Sequence, residues 1–176
     1  MLKVASLLGG IIFSMSAIAS PVCQQSWGQM ICSKGTIDKL NAQGIVSVID
    51  TKVLGKSSIN GTFNAKNAQL NELSIHGMSV FNNSSITGES HLFGSLKASN
   101  CKFSKSLFIT SQNMALNSCN LAKIVASSGG EFNTIIKLTG NSVVNQIVFT
   151  KAGGEVWLYD TAKVLQPVQG GTIINK

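Results

Sequence analysis

With 176 residues the chain has room for one domain, and 44% hydrophobic residues at regular positions exclude a disordered protein. The formal charge is +7, yet all 14 basic residues are lysine and lie scattered along the chain. Nucleic-acid binding is excluded as the leading reading, because arginine makes the bidentate contacts to phosphate and guanine. The charge reads as a solubility feature with weak attraction to anionic surfaces.

The first segment reads as a secretory signal peptide, residues 1–19. Met1-Leu2-Lys3 is a short positive start, and Val4 to Ile18 is apolar but rich in small residues. Ala17-Ile18-Ala19 fits the small-x-small rule for cleavage after Ala19. The short form of the signal points to a bacterium. Cys23 follows Ser20-Pro21-Val22, so the small residue that a lipidation site needs just before its cysteine is missing. No second long apolar run follows, so no integral span is expected after cleavage.

Residues 20–34 read as an N-terminal cap. Cys23 and Cys32 bracket a short loop with Trp27-Gly28 at its centre, and an exported chain permits a disulfide between them. Trp27 is expected to lie as a lid on the first coil, since an open solenoid end exposes core and strand edges.

Residues 35–176 read as an all-β, single-domain β-solenoid, a parallel β-helix. Gly35 to Gly55 carries β-branched segments between Gly and Asn, hence short strands. The repeat then becomes legible. Phe63-x-Ala65-x-x-Ala68-x-Leu70 returns as Ser79-x-Phe81-x-x-Ser84-x-Ile86. It returns again as Leu96-x-Ala98-x-x-Cys101-x-Phe103 and as Met114-x-Leu116-x-x-Cys119-x-Leu121. A second phrase keeps the same step: Leu73-x-Ile75-x-Gly77, Ser90-x-Leu92-x-Gly94, Leu107-x-Ile109-x-Ser111 and Ile124-x-Ala126-x-Ser128. The step is about 17 residues, with three short strands per coil. Inward residues sit two apart, the strand period. At the x-x break the period slips, which marks a corner held by Asn67, Asn83 and Asn100, then Ser118. Asn tolerates left-handed backbone and stacks as an amide ladder, so these residues are assigned a structural role. Cys101 and Cys119 fall inside, on adjacent coils.

After Ser128 the beat falters at Gly129-Gly130. Ile136-x-Leu138, Val156-x-Leu158 and Thr172-x-Ile174 are expected to stack, with a longer step at Gly153-Gly154.

At Ile59-x-Gly61, Ile86-x-Gly88 and Gly94-Ser-Leu96 the chain resembles the bactofilins, polymer-forming bacterial β-helix scaffolds. The resemblance implies a self-assembling solenoid. Bactofilins are cytoplasmic as a family, whereas this chain opens with an export signal. Ala68-Gln-Leu70, Cys101-Lys-Phe103 and Cys119-Asn-Leu121 also look like pentapeptide-repeat units, but without that family's five-residue tandem period.

Chemistry is sparse. The acids Asp38, Asp50, Glu72, Glu89, Glu131, Glu155 and Asp160 are read as lying on different edges, so no catalytic residue is assigned. His76 and His91 point outward and sit diagonally, with no acid ladder beside them, so no metal or cofactor is assigned. The outward columns are more telling. Ser74, His91, Phe108 and Val125 form one; His76, Phe93, Thr110 and Ser127 form the next. Exposed Phe93 and Phe108 suggest an interface. Trp157 and Tyr159 are also read as outward, with Ile173 beside Trp157. The sequence therefore points to an exported, non-enzymatic scaffold. It is expected to self-assemble or to dock on a protein partner in a bacterial cell-envelope assembly. The alternative is a carbohydrate- or surface-binding module using its aromatics.

Overall fold

The computed structural model describes residues 22–128 and 133–176. The signal segment and Glu131 lie outside them. The strands are β1 (Val22–Ser26), β2 (Gln29–Ile37), β3 (Asn41–Val53), β4 (Ser57–Lys66), β5 (Gln69–Leu70), β6 (Leu73–Asn82), β7 (Ser85–Ile86) and β8 (Ser90–Ser99). They continue as β9 (Lys102–Thr110), β10 (Asn113–Asn117), β11 (Asn120–Ser127), β12 (Ile135–Thr139), β13 (Val143–Phe149), β14 (Gly154–Leu158), β15 (Lys163–Val164) and β16 (Gly171–Asn175). They form a β-solenoid of about 8 turns with roughly 17 residues per turn. Every pairing is parallel except that of β1 with β2.

Each regular coil has three faces. Ala42, Ile59, Ile75, Leu92, Ile109 and Ala126 stack inside the first. Val46, Phe63, Ser79, Leu96 and Met114 stack inside the second. Leu70, Ile86, Phe103 and Leu121 stack inside the third. Every inward residue of the first phrase, from Phe63 to Leu121, is buried. Large side chains meet small ones: Phe81 lies between Ala65 and Ala98 in its column. Its ring also packs edge-on against Phe63 at 5.6 Å and Phe103 at 5.8 Å. The narrow interior leaves the hydroxyls of Ser57, Ser79 and Ser90 without a hydrogen-bond partner. Each such group costs on the order of 1 kcal/mol, accepted where a larger side chain would not fit.

Two corners have different chemistry. Between the second and third faces, Asp50, Asn67, Asn83, Asn100 and Ser118 all have φ between 48° and 54°. Asn67 Nδ2 donates to Asp50 Oδ1 at 2.9 Å, and Asn83 Nδ2 donates to Asn67 Oδ1 at 3.4 Å. The amide ladder is thus anchored on an aspartate. Between the first and second faces, Gly28, Gly44, Gly61, Gly77 and Gly94 stack with positive φ. A Cβ on any of the last four would overlap the carbonyl oxygen of the glycine one coil earlier. Gly77 and Gly94 are therefore exposed seam residues and not a third inward beat of the second phrase. In the coil of β9 and β10 this corner lengthens to Ser111-Gln112.

Three expectations are corrected. Trp27 is no lid: it is fully exposed at the tip of the β1–β2 hairpin. The turn places Trp27 and Gly28 both at positive φ, which aims the indole away from the coil. The coils also start earlier than residue 35, because β2 already pairs in parallel with β3 from Gln29. At the other end the register is shifted by one. Ile173 pairs with Val156 and Ile174 with Trp157, since Gly171 stacks on Gly154. Both glycines leave room for the Phe149 ring, which a Cβ at either would strike. The longer steps fall from Met114 to Ile136 and from Ile136 to Val156.

Candidate functional site

The outward columns of the first face fall in the expected register. Asn60, His76, Phe93 and Thr110 form one column, and Ser74, His91 and Phe108 the other. Parallel coils about 4.8 Å apart hold equivalent side chains at ring-stacking distance. His76 and Phe93 accordingly stack with centroids 4.5 Å apart and planes within 8°. His91 and Phe108 stack at 4.7 Å and 5°. Ring planes thus lie across the solenoid axis, so the strip shows solvent its ring edges. Phe93 is 45% exposed, so no described segment covers it. Phe108 is half-buried, and its column continues with half-buried Val125 and Val148.

Sequence reasoning missed how far this strip extends. Met78 is also exposed and lies just across the glycine seam from His76; exposed Ile45 is two coils earlier in the same column, with Thr62 between them. With no side chains on the seam, apolar groups on its two sides share one surface. The signal was in the sequence: glycines recurring at the coil step, followed directly by Ile45 and Met78.

Trp157 and Tyr159 lie at the C-terminal end of the second face and are half-buried. The structure does not bring them to the His–Phe strip. The Trp157 ring has Lys137 Nζ at 5.0 Å and Lys176 Nζ at 4.7 Å. Its Nε1 donates to Glu155 Oε2 at 2.7 Å. Its neighbours in the column are Lys137 and Ile174, so Ile173 is not part of this cluster.

Among the acids, Glu72 and Glu89 share a corner of adjacent coils, contrary to expectation. They precede the in-register Leu73 and Ser90, and the Leu73 N–H donates to the Glu89 carbonyl at 3.1 Å. Both side chains are exposed. Asp160 sits at an exposed corner with φ 56°, and its Oδ2 accepts the Gly140 N–H at 2.9 Å. Among the described residues no three His, Cys, Asp or Glu side chains converge as metal ligands would.

Cys23 and Cys32 face each other across the hairpin and form a disulfide. Cys101 and Cys119 are free, buried thiols. They occupy the same position on adjacent coils: the neighbouring Cys119 thiol holds Cys101 below its ordinary range, while Cys101 and burial push Cys119 up. No helix among the described residues is long and apolar enough to cross a membrane. Comparison with known protein families, with curated proteins and with solved structures returned no match.

Proposed function

We propose that the chain is an exported, non-enzymatic scaffold that self-associates or docks into a bacterial cell-envelope assembly through its first face. The observation that carries this reading is the uncovered strip of His76, Phe93, His91 and Phe108, widened across the seam by Met78. Edge-on aromatics beside aliphatic groups suit a flat protein partner. The hairpin disulfide and the signal-like start support an exported location.

The glycan-binding alternative has less support at Trp157. Sugar rings stack on an open aromatic face, and here lysines contact the indole.

The test is sedimentation and light scattering of the mature protein over a wide concentration range, with retention on envelope fractions alongside. A Phe93→Ser/Phe108→Ser double variant should lose association at least tenfold while keeping its β circular dichroism. A wild-type protein that stays monomeric and unretained, or a double variant that associates as wild type does, would sink the proposal.

A further inference from the structure

The column just inside the asparagine corner has one task, and cysteine is not needed for it. Its members are Thr51, Ala68, Ser84, Cys101, Cys119 and Ser142, each the first inward residue after the corner. Where a polar atom is present, it donates to a carbonyl just before the corner. Thr51 Oγ1 reaches the Ile49 carbonyl at 2.7 Å, Ser84 Oγ that of Asn82 at 2.8 Å, and Ser142 Oγ that of Thr139 at 2.7 Å. Cys101 Sγ does the same to Ser99 at 3.1 Å and Cys119 Sγ to Asn117 at 3.2 Å. A hydroxyl also takes an N–H from the previous coil, as Ser84 does from Ala68 and Ser142 from Cys119, both at 3.2 Å. Serine therefore meets every requirement of this position. Sulfur occupies two successive coils, which is the arrangement a cross-link needs.

We propose that Cys101 and Cys119 are a modification site: an inter-coil disulfide that closes by exchange with a donor disulfide. The two residues stack on adjacent coils, with the Asn120 N–H donating to the Cys101 carbonyl at 2.8 Å. The coil spacing of about 4.8 Å lies inside the Cα–Cα window that disulfides accept. Both side chains point into the interior from the same position of their coils, and both are free thiols. Closing the bond needs each Sγ to leave its carbonyl, which gives up one weak S–H hydrogen bond per residue.

Either thiol can start the exchange while this corner is still open, and the products are the same as those reached from Cys101. The Cys101 thiolate attacks one sulfur of the donor disulfide, forming a mixed disulfide and releasing the other donor sulfur as a thiolate. Cys119, giving up its proton, attacks the Cys101 sulfur and expels the second donor thiolate. Two cysteine thiols are oxidised, one donor disulfide is reduced to two thiols, and two protons pass to the released thiolates. Because both cysteines are buried in the finished coil, the exchange belongs to the stage before this corner closes.

The placement gives the bond a purpose. Up to Cys119 the column advances by a near-constant step, but its next member is Ser142, 23 residues on. Successive coils here present similar small residues, so a coil could pair one turn out of place. A covalent link between these two coils fixes the register just before the repeat becomes irregular.

The test is to unfold and reduce the full chain, refold it in a mixture of reduced and oxidised glutathione, and quench with N-ethylmaleimide under denaturing conditions. The expected result is no adduct on Cys101 or Cys119. Trypsin should then release one disulfide-linked species joining residues 98–102 to residues 106–123. Its thermal midpoint should lie above that of Cys101→Ser and Cys119→Ser, each of which keeps one alkylatable thiol. Both variants should fold, since serine already serves at Ser84 and Ser142. Adducts on both Cys101 and Cys119 after refolding overturn the proposal, and closure of Cys23–Cys32 in the same sample shows that the oxidant sufficed. Cross-linking of either thiol only to another chain overturns it as well.

Discussion

Asn83 illustrates how a single side chain holds a corner. Its backbone is left-handed, φ 48°, a conformation that costs most residues about 1–2 kcal/mol and Asn and Gly much less. Its amide also links to Asn67, but that surface contact at 3.4 Å is long and weak. Conformation should therefore outweigh the ladder. Asn83→Ala is expected to cost about 1 kcal/mol, while Asn83→Gly should stay within about 0.5 kcal/mol of wild type. Urea denaturation of the two variants decides it: equal losses would mean that the amide ladder, and not the backbone, carries the corner.

The hairpin shows what a disulfide does when an element has little else. β1 pairs with β2 on one edge only, and its residues from Cys23 to Ser26 are exposed. Cys32 on β2 is buried completely and ties the hairpin to the first coil. Reduction, or a Cys23→Ser variant, should raise amide hydrogen exchange throughout β1 to near the unstructured rate and leave β4, β6 and β8 protected. Protection of β1 that survives reduction would show that backbone pairing suffices. The elements were legible in the sequence to the extent that side-chain size dictates them. Inward beats such as Phe63, Ala65, Ala68 and Leu70 must be apolar or small, so their period survives reading. Glycine is different, because it serves by lacking a side chain. Gly77 and Gly94 therefore look like beats of a phrase when they are the seam. The same limit hid the Ile173 register, which depends on how Phe149 fills the space above Gly154 and Gly171. It also hid the stacking of Glu72 on Glu89, since corner residues obey no apolar pattern. The His–Phe columns were readable once the step was known; their breadth across the seam was not. The glycines and inward residues that resemble bactofilin motifs are the positions coil packing itself demands, which is why the likeness speaks to fold more than to role.

At the scale of the molecule, each coil touches only the coils above and below, so stability is close to a sum of nearest-neighbour terms. A globular core would spread the effect of a lesion, whereas this chain should localise it. Gly77 is the place to ask, because it is central to the seam and its substitution combines two faults. Its φ of 136° is one that side chains rarely adopt, and a Cβ would overlap the Gly61 carbonyl. Gly77→Ala is therefore expected to destabilise by about 3 kcal/mol or more. The overlap pushes β6 away from β4 where both bend between the first and second faces. The loss should appear as faster hydrogen exchange in β4, β6 and β8, while β12, β13 and β14, several coils away, keep near wild-type rates. The aromatic strip crosses the same coils, with His76 on β6 and Phe93 on β8, so association should weaken together with local protection. Uniform loss of protection from β2 to β16 would mean that the solenoid unfolds as one cooperative unit, and the seam would then be a global determinant of folding.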